Sequence, residues 1–184
     1  MNEVLRAIKN RRSIRSFSPE QIKQEELDLI IEAAVYAPSS HNEQPWHFTV
    51  IQNRELIRYI SDKPKELMAQ SDVRWIKLMG LSKKREVTYG APTLIIVSGK
   101  EDAISWMPEC SAAVQNMLIA AESMDIGSIW LGLVTFFFNL KDEIGILKIP
   151  EGYVPFCGAA FGYKLKEYTQ GTPKRNFDVV DYIR

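Results

Sequence analysis

The chain has 184 residues with 23 basic and 23 acidic side chains, so its formal net charge is zero. Nucleic-acid-binding proteins need an excess of positive surface charge, and this balance argues against that class. The apolar fraction of 46% is that of an average globular protein. No apolar run reaches the roughly 20 residues that span a membrane, and the N-terminus lacks a secretory signal. We therefore expect one cytoplasmic domain over residues 1–184.

Hydrophobic periodicity predicts the elements of the first half of the chain. They are a helix over 2–10, a cationic turn over 11–19, a helix over 24–37, a polar loop over 38–45 and a strand over 46–51. Pro38 is expected to end the second helix, because a proline disfavours helical backbone in the residue before it. The strongly charged region 54–89 predicts two or more surface helices.

The second half alternates between strands and helices. It predicts a buried strand over 92–98, a helix over 108–124, a strand over 128–133, a helix over 137–147, a strand over 153–163 and a polar tail that ends in the apolar segment 177–183. The helix over 108–124 is apolar on nearly all sides, so it belongs either in the centre of the fold or in a subunit interface. The whole pattern predicts an α/β or α+β domain with a central sheet covered by helices.

Cysteine and histidine usage argues against a metal or thiol centre. Cys110 and Cys157 form no C-x-x-C pair and lie beside small or apolar residues, so we expect both to be inert core thiols. His41 and His47 lack the supporting carboxylates or thiolates of a metal site, and no metal is expected.

The cationic turn is the first candidate binding site. It brings together four cations and two hydroxyls: Lys9, Arg11, Arg12, Arg15, Ser13 and Ser16. Arginine presents a planar fork of donors that matches phosphate, and serine adds a hydroxyl. The residues alone leave two interpretations open, an anion site or a solvated basic turn.

The polar loop is the second candidate. Two prolines stiffen a segment of short hydrogen-bonding side chains that reads Pro38-Ser39-Ser40-His41-Asn42-Glu43-Gln44-Pro45. Rigid polar loops on a scaffold often carry binding residues. The residues alone favour the simpler alternative, a helix-to-strand connection in which serine and asparagine satisfy their own backbone.

The third candidate is the segment Gly127-Ser128-Ile129-Trp130-Leu131-Gly132, in which glycines would let a ligand approach the backbone. It is not the G-x-G-x-x-G fingerprint, and the phosphate-loop pattern does not occur in the sequence. The three candidates together suit a ligand with a phosphate, a polyol and a flat apolar ring.

In their order and spacing, these motifs resemble the nitroreductase family of FMN-dependent oxidoreductases. The resemblance rests on Arg11-Arg12-Ser13-Ile14-Arg15-x-Phe17 and on Ala37-Pro38-Ser39-Ser40-x-Asn42-x-Gln44-Pro45-Trp46. It is supported by Gly90-Ala91-Pro92, by residues 111–116, 127–132 and 149–153, and by Gly162-Tyr163, so it covers most of the chain. It implies an α+β fold with a central, mostly antiparallel sheet flanked by helices. It also implies an intertwined homodimer in which each C-terminal segment reaches onto the partner.

The resemblance also implies an FMN site. Arg11 is expected to hold the phosphate with Arg12 and Ser13 beside it, and Arg15 to lie near the N1/C2 carbonyl edge of the flavin, where a guanidinium stabilises the reduced anion. The other expected FMN contacts are Pro38, Ser39, Ser40 and Asn42 from the other subunit, Trp130, Leu131 and Gly132 along the ring near N5, and Lys174 or Arg175 on the phosphate. His41, at a variable position of the loop, is expected to meet substrate.

The implied activity is hydride transfer from NADH or NADPH to small acceptors such as nitroaromatics or quinones. Flavin carries the redox chemistry, so no catalytic side chain is invoked. Region 54–89 is expected to shape the open side of the ring. Two alternatives are a dehalogenating or flavin-degrading relative on the same fold and, in a different class, a non-catalytic flavin carrier or regulatory module.

Overall fold

The computed structural model describes residues 1–166 and 173–184. The α-helices are α1 (Glu3–Asn10), α2 (Gln24–Val35), α3 (Arg54–Asp62), α4 (Lys65–Ala69), α5 (Arg74–Leu81), α6 (Trp106–Ser123) and α7 (Thr135–Phe138), and short 3-10 helices span Ser40–Asn42 and Ile144–Leu147. The strands are β1 (Trp46–Ile51), β2 (Thr93–Lys100), β3 (Ile126–Leu131) and β4 (Tyr153–Tyr163).

The four strands form one antiparallel sheet in the order β1-β2-β4-β3. The β-branched and apolar residues of β2 are buried on both faces from Thr93 to Gly99, which explains why this strand reads as a continuous apolar run. The predicted α+β fold, with a central, mostly antiparallel sheet flanked by helices, is confirmed.

One face of the sheet packs against α2 and α6. Alternate residues of β2, Ile95 and Val97, share this core with Met117 of α6 and Ile30 of α2. Seven residues of the apolar helix are buried, as expected of a helix in the centre of the fold: Glu109, Cys110, Ala113, Val114, Met117, Leu118 and Ala121.

Both cysteines lie in this core, as predicted. Cys110 and Cys157 are almost fully buried, and the Cys110 thiol donates to the carbonyl of Ser98 across 3.7 Å. Burial raises the pKa of Cys110 to about 12, with a smaller contribution from the neighbouring Glu109 carboxylate, and burial also raises the pKa of Cys157.

The other face packs against α3, α7 and the cationic turn. Ile14 and Phe17 of the turn are buried in a core with Ile96 of β2. The turn lies close to the sheet because two paired strand residues, Gly127 and Gly162, have no side chain. A Cβ on Gly127 would stand 3.1 Å from Ile14, and one on Gly162 would stand 2.6 Å from Pro92.

The predicted helix over 137–147 is wrong. Helix α7 ends at Phe138, and a turn follows in which the carbonyl of Leu140 accepts from the backbone of Glu143 and of Ile144. The apolar residues at helical spacing are nevertheless buried or half-buried, including Phe137 and Leu147. Two short helical turns therefore reach the same core without a continuous helix between them.

Among the described residues, no helix is both long and apolar enough to cross a membrane. The tail over 173–184 forms neither helix nor strand, and its apolar side chains are exposed, Phe177 to 86% and Ile183 fully. The intertwined homodimer and the single domain over 1–184 stay predictions.

Candidate functional site

The cationic turn begins where α1 ends and lies against the outer edge of β3. Ser13 forms a parallel bridge with Ser128, and the backbone N–H of Ile14 donates to the Ser128 carbonyl across 3.0 Å. Phe17 then bridges Lys164, just beyond β4. The backbone of the turn is thereby bonded to the sheet at two points, and these bonds restrain the positions from which its side chains project.

The three arginines of the turn are used differently. Nη1 of Arg12 donates to the carbonyls of Lys9, Asn10 and Arg11 across 2.7 to 2.9 Å, so this side chain caps the C-terminus of α1. Arg11 is half-buried, and its guanidinium has no carboxylate of the described residues within 4 Å. Arg11 is therefore better placed than Arg12 to offer a full donor fork to an anion.

Arg15 is exposed and extends towards a second element. Its guanidinium carbon lies 5.8 Å from the centre of the Tyr89 ring, within the range of a cation–π contact. Tyr89 has a φ of +55°, which is strained for a bulky residue, and Gly90 follows with a φ of +71°. Two consecutive residues in the left-handed region thus fix the Tyr89 backbone beside Arg15.

The polar loop has a strained backbone, because three of its residues, His41, Asn42 and Gln44, have positive φ values between 47° and 58°. Internal bonds hold this backbone, since the hydroxyl of Ser39 accepts from the backbone of Gln44 across 3.1 Å and its carbonyl accepts from Asn42 across 3.2 Å. Pro38, His41 and Asn42 remain exposed, whereas Ser39 and Ser40 are half-buried.

A buried acid also holds the loop. Glu109, in the first turn of α6, is 7% exposed, and its Oε1 accepts from the backbone N–H of Ser40 across 2.7 Å. The other carboxylate oxygen, Oε2, is buried without a donor among the described residues. Sequence reasoning missed Glu109, although a signal was present: it is the only charged residue between Asp102 and Glu122.

The third predicted segment covers most of β3 and the glycine that follows it. Trp130 is half-buried and packs edge-on against Phe156, with 6.1 Å between ring centres, and Leu131 is buried on the opposite face. Gly132 is exposed, and a Cβ there would meet nothing within 4 Å. Backbone at this point is therefore open to a ligand.

Within one chain, the cationic turn and the polar loop lie at diagonally opposite corners of the sheet. Ser128, beside the turn, and Thr93 of β2 both pair with the same residue of β4, and this row of paired residues marks one end of β2. Trp46, which follows the loop, pairs with Gly99 in a row near the other end of β2. The two rows are roughly 20 Å apart along β2, and the turn is about 19 Å from β1 across the strands. The structure places the cationic turn and the 130–132 segment at the β3 edge of the sheet. The polar loop of the same chain lies away from both.

The remaining predicted contacts lie on the tail. Lys174 and Arg175 lie in the exposed tail over 173–184 and form no ion pair with a carboxylate of the described residues. Within residues 1–166 and 173–184, no group of three or more His, Cys, Asp or Glu side chains could hold a metal ion.

The fold and site thus define an α+β protein with a cationic turn at one corner of its sheet and a strained polar loop at the diagonally opposite corner. The sequence pattern that describes the nitroreductase family matches residues 8–163. The chain belongs to the nitroreductase family, as its motifs predicted.

Relatives of known sequence agree with this assignment. The chain is 35% identical over 167 residues to a protein of Archaeoglobus fulgidus provisionally named NADH dehydrogenase/NAD(P)H nitroreductase, with 91% of this chain and 88% of that protein covered. It is 32% identical over 176 residues to the FMN reductase [NAD(P)H] of Bacillus subtilis, with 89% of this chain and 66% of that protein covered.

Solved structures agree as well. A nitroreductase with bound FMN from Bacteroides fragilis superposes with a TM-score of 0.88 at 29% identity, and one from Desulfitobacterium hafniense, also with bound FMN, gives 0.88 at 28% identity. Both alignments cover 100% of this chain and 100% of the other.

Proposed function

We propose that this chain is an FMN-dependent oxidoreductase that passes a hydride from NADH or NADPH to small organic acceptors such as nitroaromatics or quinones. The observation that carries the proposal is the bridge between Ser13 and Ser128, which places the cationic turn on the strand that leads into Gly132. One sheet edge thus offers a cation for a phosphate and open backbone for a flat ring. The FMN-containing relatives support the same assignment.

The residues of this edge suit FMN. Arg11 has no carboxylate partner within the described chain, so its guanidinium can take a phosphate by charge-assisted hydrogen bonds, with Ser13 beside it. The half-buried Trp130 offers an apolar surface to the ring, and the exposed Gly132 offers free backbone.

When bound, FMN supplies the two-electron chemistry between nicotinamide and acceptor. The protein contributes orientation and charge. Arg15, at the exposed end of the turn, is suited to stabilise negative charge that develops at the pyrimidine edge of the ring. In the first net step on a nitroaromatic, the nitro group, NAD(P)H and one proton become a nitroso group, NAD(P)⁺ and water.

The diagonal separation of the two motifs supports a homodimer. A mononucleotide is too short to touch the cationic turn and the polar loop of one chain, so if both motifs line one FMN, a second copy contributes one of them. Pro38, Ser39, Ser40 and Asn42 are then partner contacts. Exposed apolar side chains are available for such an interface on α1 and on the tail: Val4, Leu5, Ile8, Phe177, Val179, Val180, Tyr182 and Ile183. Lys174 and Arg175 would reach the phosphate along the same tail.

Anaerobic spectroscopy tests the proposed activity. Protein loaded with FMN should lose its yellow absorbance with NADH or NADPH and regain it with a nitroaromatic or quinone. Bound flavin that neither donor reduces would instead support the carrier alternative. Protein that takes up no FMN would contradict the proposal altogether. The cytoplasmic location stays a prediction.

A further inference from the structure

A cavity of about 470 Å³ opens beside Arg15, on the side of the turn that faces α5 and the segment after it. Its volume lies within the range of small-molecule sites. Met79 of α5, which is 7% exposed, and the half-buried Tyr89 ring give it an apolar and aromatic floor. Lys84 and Arg85 stand on its rim and are exposed.

The charges around this cavity are unbalanced. Three cations line it, Arg15, Lys84 and Arg85, against one carboxylate, Glu86. No ion pair within the described residues neutralises any of the three cations. Like charges gathered around an apolar concavity create a positive potential that favours an anionic ligand.

The segment that carries the rim is firmly attached. The backbone N–H of Arg85 donates to the hydroxyl of Ser82 across 3.1 Å, and that of Val87 donates to the buried hydroxyl of Ser61 in α3 across 2.7 Å. Tyr89, at the other end, is held at a strained positive φ. The rim is therefore part of a built concavity and not a freely moving surface loop.

We propose that this cavity binds electron acceptors that carry an anionic group on an aromatic ring, with the ring on Met79 and Tyr89 and the anion at Lys84 and Arg85. The proposal rests on the function proposed above, because Arg15 is the residue expected at the pyrimidine edge of the flavin, so an acceptor in the cavity would lie beside the flavin ring. It names the class of acceptor that sequence analysis left open.

Two acceptors of nearly the same shape but different charge test the proposal: 4-nitrobenzoate and 4-nitrobenzamide. In the FMN-loaded enzyme with NADH, kcat/KM should favour the nitrobenzoate, and rising salt should reduce this preference, since exposed charge interactions are screened. The double variant Lys84→Gln/Arg85→Gln should lower kcat/KM for nitrobenzoate about tenfold, which is the effect expected from the loss of two exposed ion pairs. Its kcat/KM for nitrobenzamide should change less than about twofold.

Lys83→Gln is the matched control, because Lys83 carries the same charge one residue earlier but lines a different concavity, next to α4. It should leave both acceptors unchanged. Benzoate and benzamide give a readout without turnover: isothermal titration should detect benzoate binding to the wild-type enzyme, weakened about tenfold in the double variant, and no such difference for benzamide.

Three results would overturn the proposal. An equal loss of kcat/KM for both acceptors in the double variant, together with weaker FMN binding, would assign the cations to the cofactor. A rise in KM confined to NADPH would assign them to the nicotinamide donor. No preference for nitrobenzoate in the wild type would leave the cavity without a role in selecting acceptors. Failure of the proposed function is distinguishable, since wild-type enzyme would then reduce neither acceptor.

Discussion

The backbone N–H of Ser40 donates a 2.7 Å hydrogen bond to the buried carboxylate of Glu109, 69 residues further along the chain. This bond fastens the polar loop to the first turn of the central helix. Because three loop residues adopt positive φ values, the loop needs such an external restraint to keep one conformation. Glu109 is therefore a positioning residue for the loop that is proposed to line FMN.

Replacing this carboxylate should loosen the loop. Glu109→Ala leaves the Ser40 N–H without an acceptor and should lower the free energy of unfolding by about 1–3 kcal/mol. FMN affinity should fall as well. Glu109→Gln should lower the free energy of unfolding and the FMN affinity less than Glu109→Ala does, because its amide oxygen can still accept. Urea unfolding and equilibrium FMN titration measure the two effects. Equal behaviour of both variants and the wild type would show that the bond restrains nothing.

Removing the phosphate cation should weaken cofactor binding without unfolding the protein. Arg11→Ala loses a charge-assisted contact worth about 1.5–3 kcal/mol, so the Kd for FMN should rise roughly ten- to hundredfold. Arg6→Ala, an exposed cation on α1, is the matched control and should leave the Kd unchanged. The same FMN affinity in the Arg11 variant would support the solvated-turn interpretation.

A methyl group at Gly162 should displace the turn from the sheet. The added Cβ would stand 2.6 Å from Cδ of Pro92 and 3.1 Å from the Phe17 ring. Overpacking of this kind costs about 1–3 kcal/mol, so Gly162→Ala should lower the free energy of unfolding by that amount. Gly145→Ala, where a Cβ meets nothing within 4 Å, provides the control. Identical unfolding curves for the two variants would contradict the close packing of the turn.

The contact between α2 and the end of β4 predicts a stability change in acid. The Tyr163 hydroxyl donates to Glu26 across 2.6 Å, and this bond, with a further one from the Lys23 backbone, lowers the pKa of Glu26 below its ordinary 4.5. A lowered folded pKa stabilises the fold above pH 4.5, and this contribution is lost as the pH falls through the folded value. Glu26→Gln should therefore be less stable than wild type at neutral pH, and the difference should shrink in acid.

Urea unfolding between pH 3 and pH 7, roughly the range over which carboxylates titrate, measures this difference. Glu25→Gln removes the same charge from the first turn of α2 without a tyrosine donor, and it serves as the control. A gap between Glu26→Gln and wild type that stays constant with pH would contradict the assigned hydrogen bond.

Much of the fold could be predicted from local patterns. Strands β1 and β4 were predicted with the observed bounds, because alternation or apolar runs between turn residues identify strands whatever their neighbours. The helix over 137–147 failed because spacing alone cannot distinguish one helix from two turns that bury the same side of the chain. The start of β3 was placed two residues late, since Gly127 pairs in the sheet where a glycine suggests a boundary.

The candidate site was predictable in its parts but not in its assembly. Arginine and serine chemistry identified the cationic turn, yet only the structure shows that Arg12 caps α1 and leaves Arg11 available. The partnership of Glu109 with Ser40 joins residues far apart in sequence, and no local pattern encodes such a pair. The diagonal placement of turn and loop depends on strand order, which a single sequence does not specify.

Complementation between two defective chains tests the central claim, a shared FMN site, most directly. Arg11→Glu reverses the phosphate cation, and Ser40→Trp blocks the polar loop, so each variant alone should form colourless homodimers. In a mixed dimer, purified through two different tags, one site receives both defects and the other receives none. The shared site predicts one FMN per mixed dimer, bound with wild-type affinity. Mixed dimers as colourless as their parents would contradict it, since turn and loop would then serve one site within each chain.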